Sequence, residues 1–161
     1  MFVLELTAKQ YRIELMEKLT NEINNLPSKP KVFIIKANDD ESSARYVNNK
    51  ISDTMAVGAE AALQIFYENC TTEEIIKFIK KLNNDKSVNG IIVQQPMYAH
   101  LDAKKIINAV SLQKDIDGLC VNTPYKALTP MGVIELLKYY NISLEGKDVC
   151  VIGRGKTSGE P

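Results

Sequence analysis

Short apolar runs alternate with amphipathic stretches along this chain, and that order restricts the fold more than any other feature. The runs lie at 32–35, 59–66, 91–93 and 149–152. The stretches between them carry apolar residues at three- and four-residue spacing, as amphipathic helices do. The alternation predicts an α/β fold with a mainly parallel sheet and helices on both faces. Ligands of such sheets bind at the carboxyl ends of the strands, so polar residues at those positions are site candidates.

Three helix starts are marked by residues whose side chains can cap the first turn. They are Thr7, Thr71 and Thr129, and two further helices are expected, one after the polar turn 38–41 and one from about Asp102. Thr71 and Glu74 have the spacing of a capping box, and Pro130 follows Thr129 in cap-then-proline order. The helix that begins at Asp102 is expected to reach Val110, and the one after the polar turn should stop near Gly58, where a left-handed residue is tolerated.

Three polar side chains share one face of the helix that follows the first strand. At helical spacing, Ser43, Tyr46 and Lys50 point to one place. A phenol and an amine that lie close together can serve proton-transfer chemistry. The same spacing also occurs on many solvated helix faces, and that alternative stays open on the spacing alone.

Two further polar residues lie where strands end. Gln94 follows the third strand directly, and Asp117 lies in the loop 114–118, which could return over the same edge of the sheet. Gln94 could instead satisfy backbone groups at the strand end, and Asp117 could close the turn before Gly118, as Asp before Gly often does. The sequence therefore places these two side chains near Lys50 without fixing their roles.

Charge and cysteine content exclude several classes of protein. Lys and Arg number 20, as do Asp and Glu, and the lysines are scattered, so no surface for nucleic acid or an anionic membrane is indicated. A small-molecule partner is predicted instead. Three cysteines without a C-x-x-C pair and a single histidine favour reduced thiols in a cytoplasmic protein over a disulfide framework or a metal site. Residues 1–6 do not resemble a signal peptide, and no run approaches the ~18 apolar residues of a membrane span.

A glycine-rich turn follows the fourth apolar run. It is not a phosphate-binding P-loop, because Cys150 stands where that motif needs glycine. Gly153 and Gly155 after a strand fit a dinucleotide turn better, although Gly159 comes one residue late. Arg154 could contact a ribose 2′-phosphate, which favours NADP over NAD. An ordinary glycine-rich turn between strand and helix is the alternative.

Five motifs occur in an order that resembles one enzyme family. They are Ser43-x-x-Tyr46-x-x-x-Lys50, the run 90–96 (Gly-Ile-Ile-Val-Gln-Gln-Pro), the run 114–118 (Lys-Asp-Ile-Asp-Gly), Thr129-Pro130-x-Gly132 and the glycine-rich run 151–161. Together they resemble the bifunctional methylenetetrahydrofolate dehydrogenase/methenyltetrahydrofolate cyclohydrolase family over nearly the whole chain. The order also excludes a short-chain dehydrogenase, whose glycine-rich turn precedes its Tyr-x-x-x-Lys motif.

The resemblance implies catalytic roles for the motif residues. Lys50 would assist proton transfers at the one-carbon unit of the folate. Tyr46 would stack on or orient the aromatic part of the substrate. Gln94 would hydrogen-bond near the lysine and help to keep it neutral enough to act. Asp117 would accept hydrogen bonds from the amino-pyrimidinone edge of the pterin, because a carboxylate pairs with two parallel donors.

The resemblance also implies the wider function and organisation of the chain. Ser43 and Pro96 would complete the folate pocket. The implied reactions are NADP-dependent oxidation of 5,10-methylenetetrahydrofolate to the methenyl form and hydrolysis of that form to 10-formyltetrahydrofolate. A longer chain with a second domain would form a homodimer.

The expected domains are a folate-binding catalytic domain at 1–144 and, at 145–161, the first strand and turn of a Rossmann-type NAD(P)-binding domain. The sequence therefore supports the folate pocket better than the NAD(P)-binding domain. The alternative is a catalytically silent remnant that binds folate or a partner.

Several motif regions depart from the family pattern, among them 127–130, the glycine-rich turn at Gly155 and Ser158, and the approach to the catalytic helix. Where the family has a Gly-x-x-Pro-Ala-Ser approach to the catalytic helix, this chain has the run 38–43 (Asn-Asp-Asp-Glu-Ser-Ser). Asn tolerates positive φ, so Asn38 is expected to preserve the turn that the family makes with glycine.

Overall fold

Three strands and five helices form the regular structure of residues 4–155 and 157–160, the part of the chain that this computed structural model describes. In chain order they are α1 (Lys9–Asn24), β1 (Lys31–Lys36), α2 (Glu41–Ala56), β2 (Glu60–Ile65), α3 (Thr72–Asn84), β3 (Gly90–Val93), α4 (Ala103–Ile107) and α5 (Leu128–Tyr139). The strands pair in parallel in the order β2–β1–β3, with Ile34 of β1 between Leu63 and Ile92. The predicted parallel α/β sheet is confirmed.

Different helices cover the two faces of the sheet. Successive side chains of β1 point to opposite faces, so Ile34 and Ile35 enter separate clusters. Ile34 packs with Val47 of α2 on one face. On the other face the largest fully buried side chains come from β1, β3, α3 and α4: Ile35, Ile75, Ile79, Ile91 and Ile106. The prediction of helices on both faces is therefore confirmed, and β1 is buried from both sides as the central strand.

Side-chain caps fix the starts of α2, α3 and α4. Asp40 accepts a hydrogen bond from the backbone N–H of Ser43 at 2.6 Å, and hydrogen bonds from Ser42 and Ser43 lower the pKa of its carboxyl. The predicted capping box of α3 is confirmed, because Thr71 and Glu74 each accept from the other's backbone N–H. Asp102 caps α4, which begins where a helix was predicted to begin.

Two predicted caps are wrong. α1 begins after Ala8 without a side-chain cap, and the carbonyl oxygen of Thr7 instead accepts from the Tyr140 hydroxyl at 3.0 Å. α5 begins after Ala127, which places Thr129 inside the first turn. Pro130 is then the third residue of the helix. Its missing N–H has no intrahelical partner to lose there, because the first N–H groups of any helix lack one.

The helix predicted from Asp102 to Val110 is shorter than expected. α4 ends at Ile107, and the backbone N–H groups that follow Asn108 bond three residues back, from Ala109 to Ile106 and from Val110 to Ile107. Such three-residue bonds tighten the chain into turns. The segment therefore leaves the helix and turns toward the loop that carries Asp117.

The fourth apolar run, 149–152, forms no strand, and that prediction is wrong. Val149 is 59% exposed and Ile152 is 97% exposed. A strand is stable only when its backbone groups pair with a neighbour. Within the described ranges, no other strand pairs with this run, so its apolar composition alone does not produce a strand.

Some features are absent from residues 4–155 and 157–160. No helix in these ranges combines the length and the apolar character that a bilayer crossing requires. The same residues contain no group of three or more His, Cys, Asp or Glu side chains that could hold a metal ion. Cys70 and Cys120 are buried thiols, and Cys150 is an exposed one.

Truncating a residue that joins a helix to the sheet should destabilise the fold strongly. Ile79→Ala removes a fully buried side chain from α3 and leaves a cavity, so the free energy of unfolding should fall by about 2–5 kcal/mol. Ile13→Ala on α1 is the matched control, because Ile13 is 45% exposed and should cost about 1 kcal/mol or less. Urea unfolding measures both. Similar losses in the two variants would contradict this account of the core.

Candidate active site

A cleft of about 370 Å³ opens where β3 ends, beside α2 and the start of α5. Its volume lies within the range of small-molecule sites. The lining residues come from α2, the segment after β3, the loop that follows α4, and α5: Tyr46, Lys50, Gln94, Gln95, Asp117, Leu119, Leu128 and Thr129, together with Thr157 from the glycine-rich turn. Four of the predicted catalytic and binding residues are thus brought together in one cleft.

Lys50 is held in the cleft by a carboxamide. Its Nζ donates a hydrogen bond to Oε1 of Gln94 at 3.0 Å. Gln94 is itself fixed, because its Nε2 donates to the carbonyl oxygen of Gln95 at 2.7 Å and its backbone N–H donates to Ile35 of β1 at 2.9 Å. The amine therefore has a defined position relative to the end of the sheet.

Asp117 faces the same cleft in a partly desolvated position. Burial raises the pKa of its carboxyl, the positive charge of Lys50 opposes that rise, and the negative charge of Asp115 adds to it. The balance favours a carboxyl that is harder to ionise than a solvent-exposed one. A ligand that offers hydrogen-bond donors to this carboxylate would offset the cost of its burial.

The turn that carries Asp117 is closed by another residue, Asp115. Its carboxylate accepts from the backbone N–H of Leu119 at 3.3 Å and of Cys120 at 2.9 Å. Gly118 follows with φ +67°, and an added Cβ there would lie 2.5 Å from the Lys126 carbonyl oxygen. The loop-closing role considered for Asp117 is thus filled by Asp115. The sequence analysis did not identify this role of Asp115, although the position of Asp115 in the same loop, two residues before Asp117, could have indicated it.

Tyr46 presents its ring at the mouth of the cleft. The residue is 64% exposed although it lines the same space as Lys50. One helical turn separates the two side chains on α2, so both reach the cleft from the same face. An exposed aromatic ring in this position is free to stack on the flat part of a ligand.

Ser43 and Pro96 do not line the cleft and lie behind it. Ser43 is buried, and its Oγ accepts a hydrogen bond from Nδ2 of Asn38 at 3.1 Å. The same Nδ2 donates to the carbonyl oxygen of Pro96, and Oδ1 of Asn38 accepts from the Asp40 backbone N–H at 3.1 Å. Asn38 therefore joins the end of β1, the start of α2 and the segment after β3.

The expectation that Asn38 preserves a positive-φ turn is wrong. The non-glycine residues with positive φ in the described part of the chain are Asn122 and Asn141. Asn38 acts through its side chain instead, as the hydrogen bonds to Ser43 and Pro96 show. The sequence contained one indication of this role. Asn38 lies just before a helix start, and Asn side chains often bond to neighbouring backbone groups.

The glycine-rich turn folds closely on itself. Gly153 has φ +119°, and a Cβ added at Gly159 would lie 2.4 Å from the Gly153 carbonyl oxygen. The backbone N–H groups of residues 158, 159 and 160 all donate to the carbonyl oxygen of Gly155, at 3.1, 3.0 and 3.1 Å. A side chain at position 159 would therefore collide with the backbone of Gly153, and the positive φ of Gly153 also favours glycine.

The residues predicted to bind a dinucleotide, Gly153, Arg154, Gly155 and Gly159, all lie in this turn. Arg154 is exposed beside the turn, and Thr157 lines the main cleft. Within the described ranges no helix follows whose N-terminus could receive a pyrophosphate. Lys156 and Pro161 of the motif lie outside the described residues. These residues therefore fit the turn of such a site and do not form the whole of it.

The fold and the cleft define an α/β protein with a ligand site at the carboxyl ends of parallel strands, in which a carboxamide positions an amine. Residues 6–117 match the family model described as tetrahydrofolate dehydrogenase/cyclohydrolase, catalytic domain. The chain belongs to this family.

Individual relatives agree with that assignment. The bifunctional protein FolD of Chlamydia felis is 37% identical over 157 residues, which cover 91% of this chain and 55% of the relative. The crystal structure of the bifunctional enzyme FolD, a methylenetetrahydrofolate dehydrogenase/cyclohydrolase from Campylobacter jejuni, is similar with a TM-score of 0.90 at 30% identity, over 95% of this chain and 59% of that one. The Trypanosoma brucei enzyme, solved with NADP and an inhibitor, has a TM-score of 0.90 over 98% and 59% of the two chains, and its 23% identity supports the fold alone. The chain therefore spans between half and three fifths of these relatives.

The raised pKa of Asp117 predicts a pH-dependent effect of Asp117→Asn. A folded pKa above the unfolded value means that the ionised carboxyl destabilises the folded state, fully above the folded pKa and not at all below the ordinary value of 3.8. Asp117→Asn should therefore unfold at a higher urea concentration than the parent protein at pH 7. The difference should shrink as the pH falls through the folded pKa.

Asp148→Asn is the matched control, because Asp148 is exposed. It should change the urea midpoint little at any pH. A lower midpoint for Asp117→Asn than for the parent at pH 7 would contradict the assignment of burial as the dominant effect on Asp117.

Proposed function

We propose that this chain binds tetrahydrofolate derivatives in the cleft and hydrolyses 5,10-methenyltetrahydrofolate to 10-formyltetrahydrofolate, with Lys50 as the group that moves protons. The observation that carries the proposal is the hydrogen bond from Lys50 to Gln94 inside a cleft that also contains Asp117. Membership of the family supplies the substrate class. The cleft supplies a positioned amine, a carboxylate and an exposed aromatic ring.

The hydrolysis needs two proton transfers at neighbouring atoms. Water adds its oxygen to the carbon of the methenyl bridge, and a base must take a proton from it. The hydroxyl of the adduct then loses its proton to solvent as it becomes the formyl carbonyl, the bond from that carbon to N5 of the pterin breaks, and N5 must receive a proton. Overall the methenyl cation and water give 10-formyltetrahydrofolate and one free proton. A single amine near both atoms can accept the first proton and donate the second.

The hydrogen bond to Gln94 positions Lys50 for these two proton transfers. A carboxamide oxygen carries no full charge, so it fixes the amine in place without holding it as one half of an ion pair. The backbone bond from Gln94 to Ile35 and the side-chain bond to Gln95 keep that oxygen rigid. In this proposal Gln94 positions Lys50, and the gain comes from a defined approach to the reacting carbon.

Asp117 and Tyr46 would orient the substrate. The amino-pyrimidinone edge of a pterin presents two parallel N–H donors, which match the two oxygens of a carboxylate. Asp117 is the carboxylate that lines the cleft. The exposed ring of Tyr46 would stack on the aminobenzoyl group outside the pterin pocket. Ser43 and Pro96 would support this pocket from behind through Asn38.

Oxidation of 5,10-methylenetetrahydrofolate to the methenyl form is the second reaction proposed, with NADP, or NAD in its place, as the hydride acceptor. It is supported by the dehydrogenase description of the family and by the closed turn at Gly153 and Gly159, with Gly155 between them. Arg154 beside that turn favours NADP. Since the described residues form only part of such a site, the chemistry argued for Lys50 is the hydrolytic step, which needs no dinucleotide.

A folate-binding or partner-binding protein without catalysis is the second candidate. The open position of Tyr46 is the observation that favours it, because a cleft open to water gives a bound folate less isolation from solvent. The division into domains at residue 144, the homodimer of a longer chain and the cytoplasmic location stay predictions.

Replacing Lys50 separates the two candidates. In the absence of NADP, the parent chain should hydrolyse methenyltetrahydrofolate, and Lys50→Met should reduce kcat by roughly 100-fold or more, because general acid–base catalysis contributes about that much. Binding of the substrate should change only a few-fold, since Asp117 and Tyr46 remain. Lys105→Met is the control, because Lys105 pairs with Asp102 on the surface, away from the cleft. A folded parent protein that binds folate without turnover would favour the silent candidate.

A further inference from the structure

Gln95 is a second carboxamide in the cleft, and its side chain has no role in the chemistry described so far. It lines the main cleft together with Lys50 and Asp117, and it also lines an adjoining cleft of about 400 Å³ that shares Leu119. Its Nε2 is buried and, among the described residues, has no hydrogen-bond partner. A buried amide donor without a partner is costly, and most such groups in folded proteins are paired.

Both polar atoms of the neighbouring carboxamide already have a partner, whereas Nε2 of Gln95 has none among the described residues. Oε1 of Gln94 accepts from Lys50, and Nε2 of Gln94 donates to the backbone carbonyl of Gln95. Gln95 is thus held through its backbone while its side-chain donor lacks an acceptor. An acceptor atom on a ligand in the cleft would supply the missing partner.

We infer that Gln95 determines specificity for the pterin by donating a hydrogen bond from Nε2 to the carbonyl oxygen of its pyrimidinone ring. This inference rests on the proposed folate function. The edge of that ring presents an amino N–H, a ring N–H and a carbonyl oxygen in sequence, that is, two donors followed by an acceptor. Asp117 matches the two donors, and an amide donor beside it matches the acceptor.

The pairing gives the site a way to reject the wrong heterocycle. A ring with a donor in place of the carbonyl oxygen would set an N–H against the N–H of Gln95. Both donors would then be buried without partners, and a site built around a hydrogen bond discriminates strongly against such analogues. Gln95 thereby recognises the carbonyl oxygen, the one group on this edge to which a carboxylate cannot hydrogen-bond.

The test compares the stability and the affinity of Gln95→Met. Methionine has a similar length and no donor, so the substitution removes the unpaired N–H from the free protein and the proposed hydrogen bond from the complex. Without ligand, the thermal midpoint should stay the same or rise. The Kd for tetrahydrofolate, measured by titration calorimetry, should increase roughly tenfold, as expected for the loss of one hydrogen bond. A residue with a merely structural role would not produce this opposite pair of effects.

Gln64→Met is the matched control, because the Gln64 side chain bonds to the neighbouring carbonyl of Ile65 on the edge strand β2, outside the cleft. Its Kd for tetrahydrofolate should equal that of the parent. An unchanged Kd in Gln95→Met, with normal binding by the parent, would overturn the inference and leave the proposed function intact. A folded parent that does not bind tetrahydrofolate would overturn both.

A second variant covers the case in which Gln95→Met does not fold. Gln95→Glu keeps the size of the side chain and places an acceptor where the donor was. At pH 7 it should weaken tetrahydrofolate binding by at least tenfold, because two acceptors then face each other. Binding equal to that of the parent would overturn the inference.

Discussion

The parallel pairing of β1 with β3 is the constraint on which the site depends. Ile35 lies opposite Val93 in the register, and the backbone N–H of Gln94 extends the ladder to the Ile35 carbonyl. Because both strands run in the same direction, the segment after β3 emerges beside the turn that leads into α2. The hydrogen bond from Lys50 to Gln94 is possible only in that arrangement, and burial of β1 on both faces prevents the register from slipping.

Polar groups behind the cleft convert this arrangement into a fixed geometry. Asn38 bonds to the helix through Ser43 and to the segment after β3 through Pro96, while Asp115 holds the loop that carries Asp117. The side chains of Asn38, Ser43 and Asp115 are buried, so their hydrogen bonds replace water that these groups have lost. The side chains that face the cleft are therefore held in place by residues that do not line it.

Spacing patterns in the sequence predicted the features that depend on residues close together in the chain. The capping box at Thr71 and the shared helical face of Tyr46 and Lys50 follow from spacing alone, and parallel strands follow from the alternation of elements. The cap expected at Thr129 was wrong because α5 already begins at Leu128, after the buried Ala127, so Thr129 lies in its first turn. The supporting roles of Asn38 and Asp115 were missed because they depend on contacts between segments distant in sequence, which no spacing encodes.

The electrostatics of the cleft agree with the charge of the proposed substrate. Burial raises the pKa of Asp117, and the positive charge of Lys50 opposes this effect in the free protein. The methenyl form of tetrahydrofolate is a cation, and in the proposed complex it would lie in the same cleft. Unlike charges attract, so the cation favours an ionised Asp117. That is the state that binding of the pterin edge requires, so the charge of the substrate itself would favour its recognition by the site.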